Sequence, residues 1–195
     1  MERLWNLTKN SGYKLMDKKQ NRDSIVWFPP LAGNLKVNFD GASRGNPRKS
    51  GYGAIIRDEL GNFVGANFGP LGINTNNLAE LAGLLAGLEW CVDRGFRDIE
   101  VEGDLQIILN GITKQKFENW KLEACRPKVQ TLCDSLNRFT FKHIYREGNS
   151  AVDWLANRGL DCDGPKQMSK VEEVPDGLLS VLAADKEGIP RTRIG

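Results

Sequence analysis

The sequence predicts an α/β domain built on a mixed sheet, in which an antiparallel meander is continued by parallel strands and flanked by helices. Three observations carry that prediction. From Leu35 the chain runs through short segments that alternate apolar and polar residues, the pattern of half-buried strands. A longer segment with leucines at helical spacing follows them. After it another alternating segment begins, and a strand reached through a crossover helix lies parallel to its predecessor.

The elements follow in order. Leu35, Val37 and Phe39 alternate with Lys36, Asn38 and Asp40, giving a strand that ends on an acid and is broken at Gly41 by a loop rich in Gly, Ser, Arg and Asn. Residues 51–57 (GYGAIIR) form a second strand, residues 58–62 a turn, and residues 63–68 a third strand. Thr75, Asn76 and Asn77 offer caps for a helix carrying Leu78, Leu81, Leu84, Leu85 and Leu88 at helical spacing, which Gly95 ends. Residues 98–104 (DIEVEGD) alternate again and finish on Asp104, followed by a helical run through Ile107, Ile108 and Ile112. Residues 118–136 form an amphipathic helix and residues 139–145 the last strand of a five-stranded sheet. The run Glu147-Gly148-Asn149-Ser150 breaks and caps, and residues 151–158 make a short helix with Val152, Leu155 and Ala156 facing inward.

This divides the chain into a basic leader at residues 1–26, a domain at 27–163 and a flexible tail at 164–195, in which residues 177–184 could form a short helix. The prolines of Trp27-Phe28-Pro29-Pro30 exclude a helix interior or central strand, leaving an extended arm packed on the domain or an exposed linker. With 195 residues and 40% hydrophobic content the chain can bury a sizeable core. The opening MERLWNLTKN lacks the layout of a signal peptide, and no run of about 18 apolar residues is present. The expectation is a soluble monomer inside the cell, in nucleus or cytoplasm, with no membrane partner. Cys91, Cys125, Cys133 and Cys162 match no zinc or redox spacing and read as reduced, mostly buried thiols. Residues 1–36 hold 7 Lys/Arg against 3 acids, whereas residues 37–164 hold 15 against 17, so the basic excess lies in the leader. That is not the uniformly basic surface of a protein binding nucleic acid by charge alone.

Four acids occupy corresponding places: Asp40 and Asp104 at strand ends, Glu80 and Asp153 near helix starts. Singly, the helix acids read as partners of the helix dipole. Together they matter, because functional groups gather at the carboxyl ends of parallel strands. Converging carboxylates repel and resist ionisation unless cations join them, and hard divalent ions such as magnesium suit carboxylate oxygens. The chemistry that follows is phosphodiester transfer by a pair of ions about 4 Å apart.

The ordered blocks NFDGASRGNP, GYGAIIRD, TNNLAELAGLLAGLE, VEGDLQIIL and REGNSAVDWLAN resemble ribonuclease H of type 1, especially the reverse-transcriptase-like domains of plant retroelements. The likeness runs from about Trp27 to Arg158 and implies an RNase H-like fold and magnesium-dependent endonucleolytic hydrolysis of the RNA strand of an RNA/DNA hybrid, with manganese a possible substitute. The products implied carry 5′-phosphate and 3′-hydroxyl ends. By motif position, Asp40, Glu80, Asp104 and Asp153 match the family's metal ligands, and Asn46, Asn76, Asn77 and Gln106 its contacts to the hybrid's minor groove. An amide that both donates and accepts suits a ribose 2′-hydroxyl.

Departures from the family define the alternative. The family's mobile loop with a histidine before the last acid is closed by Gly148 and Asn149, and the sole histidine, His143, lies inside the last predicted strand and reads as structural. The basic protrusion is missing too, since residues 113–123 are short and carry only Lys114, Lys116 and Lys121; the leader could compensate in part. These point to a domesticated, weakly active or inactive binding module as the second reading. A proofreading-type exonuclease is disfavoured because Asp40 is followed by Gly41-Ala42 rather than by a second acid one residue on. Dinucleotide binding is disfavoured because Gly51-Tyr52-Gly53 lacks a third glycine and sits between strands.

Overall fold

The computed structural model describes residues 24–45, 47–103 and 119–192. Its strands are β1 (Leu35–Ser43), β2 (Arg48–Arg57), β3 (Phe63–Asn74), β4 (Asp98–Gly103), β5 (Arg138–His143) and β6 (Lys166–Met168). Its helices are α1 (Asn76–Asp93), α2 (Trp120–Asp134), α3 (Ser150–Gly159) and α4 (Asp176–Lys186). They form one mixed sheet in the order β5-β4-β1-β2-β3-β6. The meander β1-β2-β3 is antiparallel, and β4 and β5 run parallel to β1. The expected architecture is therefore present, with a sixth, short strand antiparallel to β3 at the sheet edge. None of the described helices is long and apolar enough to cross a membrane.

Alternation along β1 separates two layers. Leu35, Val37 and Phe39 join Leu81, Leu84, Leu85 and Leu88 of α1 and Leu122, Val129 and Cys133 of α2 in one core. Lys36 and Asn38 point to the other face, where Ile55, Ala66 and Phe68 pack against Val152 and Leu155 of α3 and Leu178 and Leu182 of α4. Residues 164–192, within the expected flexible tail at 164–195, are thus part of the domain. Met168, Val174, Leu178 and Leu182 are apolar residues spread over residues 168–182, each contributing to that second core. Spaced across a bridge, a turn and one helix, they show no long period in sequence.

The aromatic arm resolves in favour of packing. Trp27 is buried and donates from Nε1 to Asn38 Oδ1 at 3.1 Å, while Phe28 is half exposed. Ile25, inside the expected leader, is fully buried and bridges to Arg191; residues 1–23 lie outside the described residues. All four cysteines are unbridged; Cys91 and Cys133 are buried, and burial pushes each thiol up to about 12.

Candidate functional site

β1 does not stop at Gly41. It runs on to Ser43, with Asp40 opposite Gly53 and Gly41 opposite Tyr52 on β2. What Gly41 supplies is room: an ideal Cβ there would stand 2.3 Å from the Glu80 nitrogen and 2.5 Å from the Ala79 carbonyl carbon. Gly83 repeats this one turn later, its absent Cβ falling 2.8 Å from the Asp40 carbonyl oxygen. Two glycines therefore let the start of α1 rest directly on the end of β1. Thr75 caps the helix by accepting from the Leu78 N–H at 3.4 Å. Helix and strand together aim Glu80 and Asp40 at the same space.

That space is an open cleft of about 590 Å³. Asp40, Glu80 and Asp153 line it, with Asn76, His143, Arg146 and Asn149. Asp40 Oδ1 accepts from the Gly41 N–H at 2.9 Å, and Glu80 Oε1 accepts from Asn76 Nδ2 at 2.6 Å. Asp153 Oδ1 pairs with Arg146 Nη2 at 3.0 Å. Three carboxylates, one from within β1 and one each from α1 and α3, thus line a single cleft. Asp104 lies outside the described residues; its neighbour Gly103 ends β4, which lies beside β1 with Glu102 opposite Asn38. Among the described residues no group of three or more His, Cys, Asp or Glu side chains is disposed as a metal-binding cluster. The donor set is nonetheless carboxylate and amide oxygen, which fits a hard divalent cation and not a soft one.

Of the predicted amides, Asn76 is in the cleft on Glu80, whereas Asn77, also in the first turn of α1, is not among the cleft-lining residues. Asn46 and Gln106 lie outside the described residues, as does the helical run through Ile112. His143 requires correction: it is exposed, ends β5, lines the cleft, and meets Tyr145 edge to face at 5.3 Å. β5 stops two residues earlier than predicted, so His143, paired with Gly103 of β4, is the strand's last residue, and its exposed side chain faces the cleft at the strand's carboxyl end.

Two cleft residues escaped sequence reasoning. Asn149 was expected to cap, but its side chain makes no cap hydrogen bond. Instead Nδ2 donates to Phe39 O at 3.0 Å and Oδ1 accepts from Asn38 Nδ2 at 3.2 Å, both buried. The signal was there in Lys36, Asn38 and Asp40, a polar row on a strand whose other face is core. Arg146, in a 3-10 turn at Arg146–Asn149, carried no signal beyond its position seven residues before Asp153.

A family model described as reverse transcriptase-like matches residues 38–159. Ribonuclease HI of Halobacterium salinarum is 35% identical over 139 residues, 71% of this chain and 70% of its own. A putative ribonuclease H protein of Arabidopsis thaliana is 32% identical over 173 residues, 87% of this chain but 27% of its own length. Among solved structures, RNase H1 of H. salinarum superposes with a TM-score of 0.62 at 35% identity, covering 66% of this chain and 98% of that one. LC11-RNase H1 in complex with an RNA/DNA hybrid gives 0.60 at 29% identity, covering 65% and 96%. The fold and the gathered acids define a ribonuclease H-like α/β domain. The chain belongs to the type 1 ribonuclease H family, with a plant relative among its matches.

Proposed function

We propose that the chain is a metal-dependent endonuclease that hydrolyses the RNA strand of RNA/DNA hybrids, leaving 5′-phosphate and 3′-hydroxyl ends. The observation that carries this reading is the convergence of Asp40, Glu80 and Asp153, from three separate elements, on one cleft at the end of the sheet. Relatives named ribonuclease H, and a relative's complex with a hybrid, support the substrate class.

In this reading Asp40, Glu80 and Asp153, with Asp104, hold magnesium or manganese. Held by these residues, a divalent ion would supply Lewis-acid activation of water and charge neutralisation at the phosphate and leaving oxygen. The chain's own groups prepare the site. The Gly41 N–H orients the Asp40 carboxylate, and Asn76 orients Glu80. Arg146 balances Asp153 and puts a cation at the rim, where a polyanion would approach. The Asn76 amide lines the same cleft, and an amide that both donates and accepts suits a ribose 2′-hydroxyl, the group that separates RNA from DNA.

The test is cleavage of a labelled hybrid by purified protein, with magnesium and manganese assayed separately, beside single-stranded RNA, duplex RNA and duplex DNA. The expected result is cutting of the hybrid's RNA strand alone, abolished by EDTA and by Asp40→Asn, with fragments extendable from a 3′-hydroxyl. Folded protein that binds hybrid and cuts nothing in either metal would overturn the reading in favour of a binding module.

A further inference from the structure

The family-matched segment spans residues 38–159, yet the segments that flank it on both sides pack on the domain and meet each other. Ile25 and Arg191 exchange backbone hydrogen bonds of 2.9 and 2.8 Å. They meet beside the polar face of β1, and from there an unbroken set of contacts leads to the carboxylate cleft. Asp185 of α4, 2% exposed, pairs with Arg191 Nη1 at 2.5 Å and accepts from Arg57 Nη1 at 2.7 Å. The Arg57 guanidinium lies 3.4 Å from the centre of the Trp27 ring. Arg57 Nη2 and Trp27 Nε1 both donate to Asn38 Oδ1, at 2.8 and 3.1 Å.

Asn38 is where this set turns toward the site. Its Oδ1 takes those two donors, and its Nδ2 donates to Glu102 Oε2 at 3.3 Å and to Asn149 Oδ1 at 3.2 Å. An amide has two acceptor lone pairs and two N–H groups, so every bonding position of Asn38 is occupied and its orientation is fixed from all sides. Asn149, fixed in turn, grips the Phe39 carbonyl next to Asp40 and stands four residues before Asp153. Arg191 adds a second hold by donating to the Glu147 carbonyl at 3.3 Å. Stability alone is a poor account of such an arrangement, because buried ion pairs add little over apolar side chains of similar size. Asn38, with every bonding position filled, is instead held in a single geometry, although Arg57 Nε in the same layer has no hydrogen-bond partner.

We propose that the two flanking segments, clasped at Ile25 and Arg191, are a positioning element for the carboxylate site: acting through Asn38 and Asn149, Trp27 and Asp185 set the placement of Asp153 relative to Asp40. The inference rests on the metal-dependent cleavage proposed above, for which that spacing decides how well the acids share a cation.

Trp27→Phe and Asp185→Asn in the full chain test it. The first keeps the ring under Arg57 and deletes one donor to Asn38; the second keeps the shape of Asp185 and removes its charge. Both lie away from the cleft-lining residues. The readouts, taken where circular dichroism shows folded protein, are kcat, KM for hybrid, the magnesium concentration giving half-maximal rate, and amide exchange over residues 150–156. The expected result is kcat lowered about tenfold, the usual scale for residues that orient metal-binding groups. KM should stay within about twofold, since neither residue lines the cleft. The magnesium midpoint should rise and exchange at the start of α3 should quicken. A lower melting temperature with unchanged kcat, magnesium midpoint and exchange would overturn the proposal, because it would show an ordinary structural role. Where Asp185→Asn does not fold, Trp27→Phe decides. If wild-type protein itself cuts no hybrid, the functional reading falls, and exchange over residues 150–156 still decides whether the clasp holds α3.

Discussion

The Glu80 nitrogen lies 2.3 Å from where a Cβ on Gly41 would be, so the strand end bearing Asp40 and the first turns of α1 meet backbone to backbone. No side chain keeps them apart. Two acids 40 positions apart in sequence share a cleft for that reason, and the contact is the most demanding steric feature of the site.

Gly41→Ala should therefore separate the two acids. The added methyl meets backbone, which cannot rotate away, so α1 must shift; overpacking of this kind costs about 1–3 kcal/mol. Activity should fall further than stability, because a misplacement of about 1 Å at a catalytic group can cost about a hundredfold in rate. Urea unfolding and hybrid cleavage measured on one preparation check both. Wild-type kcat in Gly41→Ala would show that the contact does not set the Asp40–Glu80 spacing.

Asn76 holds Glu80 through a 2.6 Å hydrogen bond at i, i+4 on α1. Asn76→Ala should leave the fold within about 0.5 kcal/mol of wild type, since such helix-surface pairs contribute only a few tenths each. Removing a group that orients a metal-binding carboxylate costs about 10–100-fold in affinity or activity. The loss should take the form of a higher magnesium requirement, partly recovered by adding magnesium. A magnesium titration that superposes on wild type would remove Asn76 from the site.

Much of this was legible before the structure. The alternation at Leu35–Phe39 and the leucine spacing of α1 set the sheet and its first helix, because both sit over a single apolar core and repeat its period. The carboxylates Asp40, Glu80 and Asp153 were placed by position at element ends, and they do share a cleft. What stayed hidden depends on contacts without a period. Gly83 reads as a weak spot in a helix, yet it is where α1 touches the Asp40 carbonyl. Gly51 and Gly53, set aside as an incomplete nucleotide motif, admit α3 onto β2, with the absent Cβ of Gly53 2.8 Å from the Ala156 nitrogen. The buried layer of Lys36, Asn38, Arg57 and Asp185 was legible only as a polar row on β1, because the Asp185 that pairs with Arg57 lies 128 residues further along the chain.

Leu178 of α4 is fully buried in the core shared with α3. Leu178→Ala should cost about 2–5 kcal/mol, as for other large-to-small changes in packed interiors. Leu179→Ala, at a partly buried position beside it, should cost clearly less. Urea denaturation followed by tryptophan fluorescence measures both. Equal and negligible effects would mean that the segment beyond residue 163 adds nothing to the domain's stability.

Glu100 gives the domain an acid-sensitive joint between arm and sheet. It is 2% exposed; Oε1 accepts from the Leu31 N–H at 2.7 Å, and Oε2 accepts from Lys142 Nζ at 2.8 Å. Burial alone would raise its carboxyl, but the Leu31 N–H and the Lys142 ammonium outweigh burial and hold it below the ordinary glutamate value. As pH falls, the unfolded chain therefore takes up this proton first, near the usual value of about 4.3. The stabilisation is complete above that pH and is lost as pH drops through the lower folded value. Glu100→Gln, which cannot titrate and leaves Lys142 without its carboxylate, should be less stable than wild type at pH 7. The gap should close as pH falls below about 4. Urea midpoints at pH 7, 5, 4 and 3, compared between the two proteins, measure this directly. A gap that stays constant across the series would show that Glu100 holds the arm by shape and not by charge.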